Sequence, residues 1–300
     1  SVLWAFKSLW DKGLIYEGYK VLPYCWECET PLSNMETRQD DAYRERQDRV
    51  VTVMFRLESP AGAEARFSED MLVWTTTPWT LPSNLALAVS PDIDYAVFEE
   101  GERKFILGEG TVATYAKELA GATQVGTIKG SEVVGRRYTP LFPFFESTPN
   151  AFVVLAGDFV TTGEGTGVVH IAPGFGEDDQ RLCEANGIPT VVPVDQAGRF
   201  TSEVPPYEGL QVFDANAEII RDLKGRGVVA RDETYVHSYP HCWRTRTPLI
   251  YKAVGSWFVK VSAIKDRMGE LNQEINWVPA HGRDGRMGNG SADAPDWAIS

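Results

Sequence analysis

The sequence predicts a mixed α/β protein: a β-barrel-like core, closed or nearly closed, with flanking helices and a separate stalk. Three observations lead there. Short apolar or alternating runs bounded by Ser-Pro, Gly-Glu and Pro-Asp punctuation recur from Val50 to Val229. Helical periodicity between them is sparse, so regular β-α alternation, and with it a doubly wound sheet, is disfavoured for this core. A content of 43% hydrophobic and 24% charged residues in 300 is globular, with ample capacity for a core.

The elements follow in order. Val2, Leu3, Phe6, Leu9 and Trp10 recur at helical spacing, and Gly13 can end that helix. A short strand spans Tyr19 to Leu22, before a Cys-bearing turn and a charged stretch from Arg38 to Arg49. Strands are expected at Val50 to Leu57, Met71 to Thr75, Leu85 to Val89, Tyr95 to Glu99 and Lys104 to Leu107. Thr111 to Leu119 reads as a helix closed by Gly121. Further strands are expected at Phe152 to Ala156, Gly167 to Ala172 and Thr190 to Val194. One more helix begins near Gly176, with Glu177, Asp178 and Asp179 in its first turn. Another runs from Asp214, as N-cap, to Lys224. The expected organisation is an outgoing stalk over 1–49, a core domain over 50–229 and a returning stalk over 230–300.

Composition bounds the function. Lys and Arg number 29 against 42 Asp and Glu, a net charge of −13. That balance argues against a broad nucleic-acid groove, which needs cations to neutralise phosphates, but not against gripping one nucleotide end. No apolar run reaches the roughly 18 residues of a membrane span. Four Cys are too few for a disulfide framework, which points to a reducing cytosol. Ser1-Val2-Leu3-Trp4 reads like the middle of a helix and Ala298-Ile299-Ser300 ends abruptly, so a piece of a longer protein is expected.

Two segments carry the sharpest chemistry. In Trp74-Thr75-Thr76-Thr77-Pro78-Trp79-Thr80-Leu81-Pro82-Ser83-Asn84, three hydroxyls follow a strand and two prolines fix the exit of the chain. Such hydroxyls can bond a polar ligand between aromatic walls; alternatively they are β-formers entering an ordinary turn. In Gly163-Glu164-Gly165-Thr166-Gly167-Val168-Val169-His170-Ile171-Ala172-Pro173-Gly174-Phe175-Gly176, a strand follows the glycines. A dinucleotide loop requires a helix there. The segment reads instead as a turn into a strand ending near His170, then a tight loop delivering Asp178 and Asp179 to a helix start. There the helix dipole keeps a carboxylate ionised, suited to an ammonium group, unless both are plain helix-start residues. His170 alone also reads as a buried, satisfied histidine. Cys25-Trp26-Glu27-Cys28 and Cys242 supply three thiols, but Thr245 stands where a second C-x-x-C would end. Metal ligation through Cys25, Cys28 and Cys242 is therefore one ligand short. Cys183 reads as core. No Ser-His-Asp order, H-E-x-x-H or Walker loop occurs.

Together these strings resemble the editing insertion, connective peptide 1, of the isoleucyl-tRNA synthetase family, over nearly the whole chain. Thr75-Thr76-Thr77-Pro78-Trp79-Thr80 is similar to its threonine-rich peptide, and Gly165 through Asp179 to its second editing motif. The valyl and leucyl relatives usually show Arg where Thr77 stands and an acid where Trp79 stands. Tyr239-Pro240-His241-Cys242-Trp243-Arg244, Thr247 to Tyr251, Trp257-Phe258 and Ile275 to Pro279 resemble the return stalk. Asp296-Trp297-Ala298-Ile299-Ser300 resembles the re-entry into the catalytic domain. Two departures stand out. Family members often carry Cys where Thr245 stands, and Gly288-Asn289-Gly290-Ser291 lacks the bulky Trp-Leu pair expected after its glycine-asparagine.

The resemblance implies a class I synthetase editing fold and proofreading hydrolysis of valyl-tRNA(Ile) by ordered water, with no covalent intermediate. Asp179 would hold the α-ammonium, with the Phe175 carbonyl as second acceptor. Thr75, Thr77 and Thr80 would surround the side chain and ester, and His170 would line the pocket. Trp74, Thr76 and Trp79 would pack around the terminal adenosine or the pocket wall, and Asn84 would brace the threonine loop. Editing needs no cofactor; ATP and magnesium belong to the catalytic domain, whose signatures are absent. The implied partners are the 3′ end of mischarged tRNA(Ile) and the rest of the parent synthetase, for a cytoplasmic monomer without a membrane. A valyl-type site clearing threonine and a non-catalytic tRNA-end module are the alternatives.

Overall fold

A computed structural model describes residues 1–33, 35–59, 67–294 and 296–299. Ser300 of the re-entry string lies outside the described residues. The described strands are β1 (Ile15–Cys25), β2 (Thr30–Pro31), β3 (Tyr43–Leu57), β4 (Ser68–Thr75), β5 (Ala86–Val89), β6 (Asp94–Glu100) and β7 (Arg103–Gly108). Then come β8 (Thr123–Lys129), β9 (Val153–Ala156), β10 (Val169–Ile171), β11 (Val229–Pro240), β12 (Ile250–Val259) and β13 (Trp297–Ala298). The α-helices are α1 (Val2–Asp11), α2 (Gly130–Val133), α3 (Glu177–Ala185), α4 (Val212–Gly225), α5 (Lys265–Glu274) and α6 (Gly288–Ala292). The chain is mixed α/β, as expected.

Two compact units divide the chain: Val21–Ala253, and Ser1–Lys20 with Val254–Ser300. The expected limits at 49/50 and 229/230 fall inside β3 and β11, which pair antiparallel from Tyr43↔Pro240 to Val53↔Val229. The charged stretch before Val50 becomes strand from Tyr43 onward because its half-buried residues alternate with exposed ones at the period of a strand.

The larger unit contains a six-stranded sheet ordered β11-β3-β4-β7-β6-β8 and a three-stranded sheet ordered β10-β5-β9. Of the expected closed or nearly closed barrel, full closure is not formed among the described residues: β11 and β8 lie at opposite edges of the six-stranded sheet. Met54, Leu72, Ala96, Phe98, Phe105, Leu107, Tyr115 and Leu119 pack as one cluster against the large sheet. Asp70, 1% exposed, is held there by Arg56 at 2.6 Å and Arg103 at 2.8 Å, so its charge is paired. All four residues of β5 are buried, as befits a strand flanked on both edges.

Three expected elements differ. Glu109–Tyr115 forms a 3₁₀ helix where an α-helix was expected. Thr111 turns its hydroxyl back to Gly108 O at 2.8 Å, and Val112 and Thr114 are β-branched. The expected strand from Thr190 to Val194 leaves only the isolated bridge Val194↔Phe200, because Pro189 and Pro193 lack ladder donors. Helix α4 starts before Asp214: Gln211 is its N-cap, its side chain accepting the Phe213 N–H at 2.7 Å.

The smaller unit has its own contacts. Lys260 N–H donates to Leu14 O at 2.7 Å, Trp10 lies against Trp257 with centroids 5.6 Å apart, and Tyr16 OH donates to Asp296 at 2.7 Å.

Candidate functional site

The site grows from two chain turns in the larger unit. Strand β4 ends at Thr75, and the chain folds directly into a 3₁₀ helix, Pro78–Ser83, with Thr77 at its N-cap. Pro78 pre-sets the first helical φ, and six consecutive buried residues anchor the helix. The threonines brace one another. Thr77 N–H donates to Thr75 Oγ1 at 3.1 Å, and Thr80 Oγ1–H donates to Thr77 O at 2.8 Å. The hydroxyls of Thr75 and Thr77 are 3.4 Å apart, and those of Thr77 and Thr80 3.3 Å.

The second turn follows β10. His170 pairs with Leu87 of β5, and the loop after Ile171 enters α3 through Gly176 as N-cap. Asp179 lies in the first turn of α3, where its Oδ2 accepts the Ala172 N–H at 2.9 Å. A Cβ on Gly176 would come within 2.7 Å of the Asp179 carboxyl, so a bare Cα at 176 leaves that carboxylate its place. Gly165, at φ +71, lies against Trp74, whose ring is 3.1 Å from where a Cβ would stand.

Between these turns lies a cavity of about 380 Å³. Its lining brings together Thr75, Thr76, Thr77, Thr80, His170 and Asp179, with Trp74 and Phe175 as aromatic walls. Two expected site residues are outside it. Trp79, 2% exposed, packs on Phe175 at 4.8 Å and donates its backbone N–H to Asn216 of α4 at 2.8 Å. Trp79 thus supports a wall instead of facing the cavity. Asn84 stands behind His170, its Nδ2 3.0 Å from His170 Nδ1, and so braces the histidine more directly than the threonine loop. Sequence reasoning missed Phe159, Thr161 and Thr166 as lining residues, and Asn216 behind Trp79. Thr161-Thr162 resembles the first hydroxyl run in type, whereas nothing local marks Asn216.

The electrostatics separate two groups. Burial pushes the His170 imidazole down to about 4, leaving a neutral ring whose Nε2 lies 2.8 Å from Thr80 Oγ1. Burial pushes the Asp179 carboxyl up to about 7; the Ala172 N–H opposes this, and Asp178 adds to it. The expected ionising effect of the helix start is therefore outweighed by burial. A cation entering would restore the charge. Such a cavity offers the Asp179 carboxyl, with Glu164 also on its lining, a wall of short hydroxyls and a neutral imidazole. Among the described residues, no Ser or Cys lines it to act as nucleophile.

Among the described residues, Cys25, Cys28 and Cys242 form the metal-ligand cluster, their sulfurs within 4.8 Å of one another. Thr245 Oγ1 lies 3.5 Å from Cys25 Sγ and 2.7 Å from Thr247 Oγ1. His241 is not among the clustered ligands; its Nδ1 faces Tyr239 O at 2.8 Å. A closed structural zinc site wants four N or S ligands, so the residues present do not fit it. Cys25, Leu32, Cys242 and Leu249 instead pack as a small apolar cluster. Cys183 is fully buried in α3, as expected of a core residue.

No helix among the described residues is long and apolar enough to cross a membrane. The family model for class I tRNA synthetases (I, L, M and V) matches residues 1–300. The isoleucine–tRNA ligases of Rickettsia peacockii (strain Rustic) and Rickettsia africae (strain ESF-5) are 59% and 58% identical over 304 residues. Each alignment covers 100% of this chain and 28% of the relative. The isoleucine–tRNA ligase of Mycobacterium tuberculosis (strain H37Rv) is 56% identical over 310 residues, covering 100% of this chain and 30% of that protein. The chain thus spans under a third of the length of the curated relatives it matches. Among solved structures, the GlLeuRS-CP1 crystal structure aligns with a TM-score of 0.48 and 14% identity, over 60% of this chain and 97% of that one. The P. knowlesi cytosolic leucyl-tRNA synthetase editing domain gives 0.48 and 12%, over 66% and 98%.

Proposed function

The chain belongs to the class I tRNA synthetases (I, L, M and V), and from that membership and its cavity we propose that it is a proofreading module hydrolysing valyl-tRNA(Ile). The observation that carries this reading is the placement of Asp179 across one cavity from Thr75, Thr77 and Thr80. The carboxylate takes the α-ammonium of a misattached amino acid, and the threonines bound the space for its side chain. Isoleucine–tRNA ligases, which this chain resembles in sequence, face the standard instance of a limit: one methylene in an apolar pocket is worth only about 1–3 kcal/mol of discrimination. A second, smaller site that hydrolyses the wrong product overcomes it.

The chemistry follows from the residues. Asp179, drawn into its charged form by the ammonium, fixes the ester and supplies orientation energy. The Phe175 carbonyl is the second acceptor proposed for the ammonium. Water attacks the ester carbonyl, the bond to the terminal ribose oxygen breaks as that oxygen takes up a proton from the water, and valine leaves as its carboxylate, its second proton passing to solvent. The threonine hydroxyls position the water or the carbonyl. His170 is neutral and already bonded on both ring nitrogens, so it acts as wall and brace, not as base. Trp74 forms the wall for the terminal adenosine, whose neighbouring ribose hydroxyl is available to assist. The module works in the cytoplasm on the tRNA 3′ end, as a monomeric part of its parent synthetase, and needs no cofactor for the hydrolysis.

Initial deacylation rates on valyl-tRNA(Ile), isoleucyl-tRNA(Ile) and threonyl-tRNA(Val), at equal enzyme, test the reading. Valyl-tRNA(Ile) is expected to be hydrolysed and isoleucyl-tRNA(Ile) spared. Preference for the threonyl ester would indicate a valyl-type site. Binding without hydrolysis would indicate a non-catalytic module.

A further inference from the structure

Behind the cavity runs a chain of hydrogen bonds whose direction is fixed at one end. Tyr138, 0% exposed, places its hydroxyl 2.6 Å from Asn84 Oδ1. The Asn84 amide cannot be turned round. Its Nδ2 faces two carbonyls, Ala86 O at 2.8 Å and Ile171 O at 3.4 Å, and reversal would set oxygen against oxygen. Nδ2–H therefore donates to His170 Nδ1, which must be the bare nitrogen of the ring. The ring proton then sits on Nε2 and donates to Thr80 Oγ1 at 2.8 Å. The Thr80 proton goes to Thr77 O at 2.8 Å. Along this path the shorter contacts, 2.6 to 3.0 Å, all run in one donor-to-acceptor direction.

We propose that Asn84 is a positioning residue for substrate size: braced by Tyr138 and by two backbone carbonyls, it holds His170 as the Nε2–H tautomer, which pins Thr80 in the cavity wall. This rests on the editing reading for its consequence, but not for its geometry. Held as acceptor by His170 and as donor by Thr77 O, the Thr80 hydroxyl fixes χ1, and with it the boundary a larger side chain meets. Thr80 has no proton to lend a substrate, so Thr75 and Thr77 are the hydroxyl donors of this corner. Tyr138 reaches the reaction only through Asn84 and His170, since it does not line the cavity.

The test is a long-range ¹H–¹⁵N correlation spectrum of the chain labelled with ¹⁵N-histidine, with His170 assigned among the four histidines by its loss in His170→Asn. The expected spectrum shows His170 protonated on Nε2, bare on Nδ1 and not titrating from pH 8 to pH 5. A ring protonated on Nδ1, or an imidazolium at pH 6, would overturn the proposal. Tyr138→Phe removes only the hydroxyl. The two carbonyls still hold the Asn84 amide there, so the Nε2–H form is expected to persist, whereas Asn84→Asp is expected to protonate Nδ1 and to lower the valyl-over-isoleucyl ratio of kcat/KM by about tenfold, the scale of one net hydrogen bond. Unchanged nitrogen resonances together with an unchanged ratio in Asn84→Asp would overturn the proposal. A carboxylate only accepts, so Asn84→Asp must place a proton on His170 Nδ1, and a bare Nδ1 in that variant would contradict the relay; should the variant not fold, the wild-type spectrum decides alone. The spectra decide the relay even where neither ester is hydrolysed, so failure of the relay and failure of the editing reading are read separately.

Discussion

Asp179 must be charged to hold an ammonium, yet its surroundings favour the neutral acid. An unperturbed Asp loses its proton near 3.8, and burial moves this one to about 7. Between those values the folded chain holds a proton that the unfolded chain has released. Stability therefore falls as pH rises through that window. Asp179→Asn, neutral throughout, should escape the penalty. It is expected to unfold at higher denaturant than the wild type at pH 8, by about 1–3 kcal/mol, with the advantage disappearing toward pH 4. Denaturant titrations of both proteins across that range check this. The same substitution should cost hydrolysis, and wild-type kcat/KM should fall as pH drops through about 7. Thr80→Ala makes the second residue-scale prediction. Valine and isoleucine share every polar group, so only volume separates them, and overpacking a tight site costs roughly 1–3 kcal/mol. Shortening Thr80 should let isoleucyl-tRNA(Ile) be hydrolysed too. If initial rates show it still spared, another wall sets the limit. Local patterns marked the hydroxyl run and the helix-start acids but left ordinary readings open; the family resemblance singled out Asp179, His170 and the threonines, which line one cavity. Tyr138 and Asn216 were not legible, because their partners Asn84 and Trp79 lie far away in sequence and only packing brings them together.

Two elements depend on what their turns leave out. Gly176 caps α3 directly beneath the Asp179 carboxyl. Gly176→Ala is expected to push that carboxyl from the Ala172 N–H. It should reduce hydrolysis by at least about tenfold, the scale of one net hydrogen bond, while the fold persists, because the displaced atoms are the end of one side chain. Activity and circular dichroism of the variant, measured together, check it. Against the Cys25–Cys28 turn lies the hydroxyl of Thr245, where a closed site needs a fourth N or S ligand. We expect the purified chain to contain no stoichiometric zinc and its melting temperature to be indifferent to chelator. Elemental analysis returning one zinc per chain would contradict this. At this scale the sequence was read well where the pattern was local. The helix over Val2–Asp11 ends before Gly13, which has φ +68, and the strands ending at Thr75 and Val89 fall where alternation placed them. It failed where composition misled. Charges hid the first half of β3, whose partner β11 is nearly 190 residues away, and prolines undid the run from Thr190.

Across the whole molecule, the many short strands gave the class but not the closure. Whether a sheet curls into a barrel depends on which edges meet, and edge pairing is a long-range property that alternation does not encode. The observed sheets instead leave β11 and β8 apart and set β10 beside β5, which carries His170 to the threonine turn. The central claim is that this placement makes a site that removes valine and spares isoleucine. It is tested most directly by deacylation of valyl-tRNA(Ile) and isoleucyl-tRNA(Ile), with wild type and Asp179→Ala compared at equal enzyme. The account predicts hydrolysis of the valyl ester by the wild type and protection of the isoleucyl ester. It also predicts near-complete loss of activity in a folded Asp179→Ala, since a charge-assisted bond worth about 1.5–3 kcal/mol and its positioning vanish together. Near wild-type hydrolysis by the folded variant, or equal rates on both esters by the wild type, would contradict it.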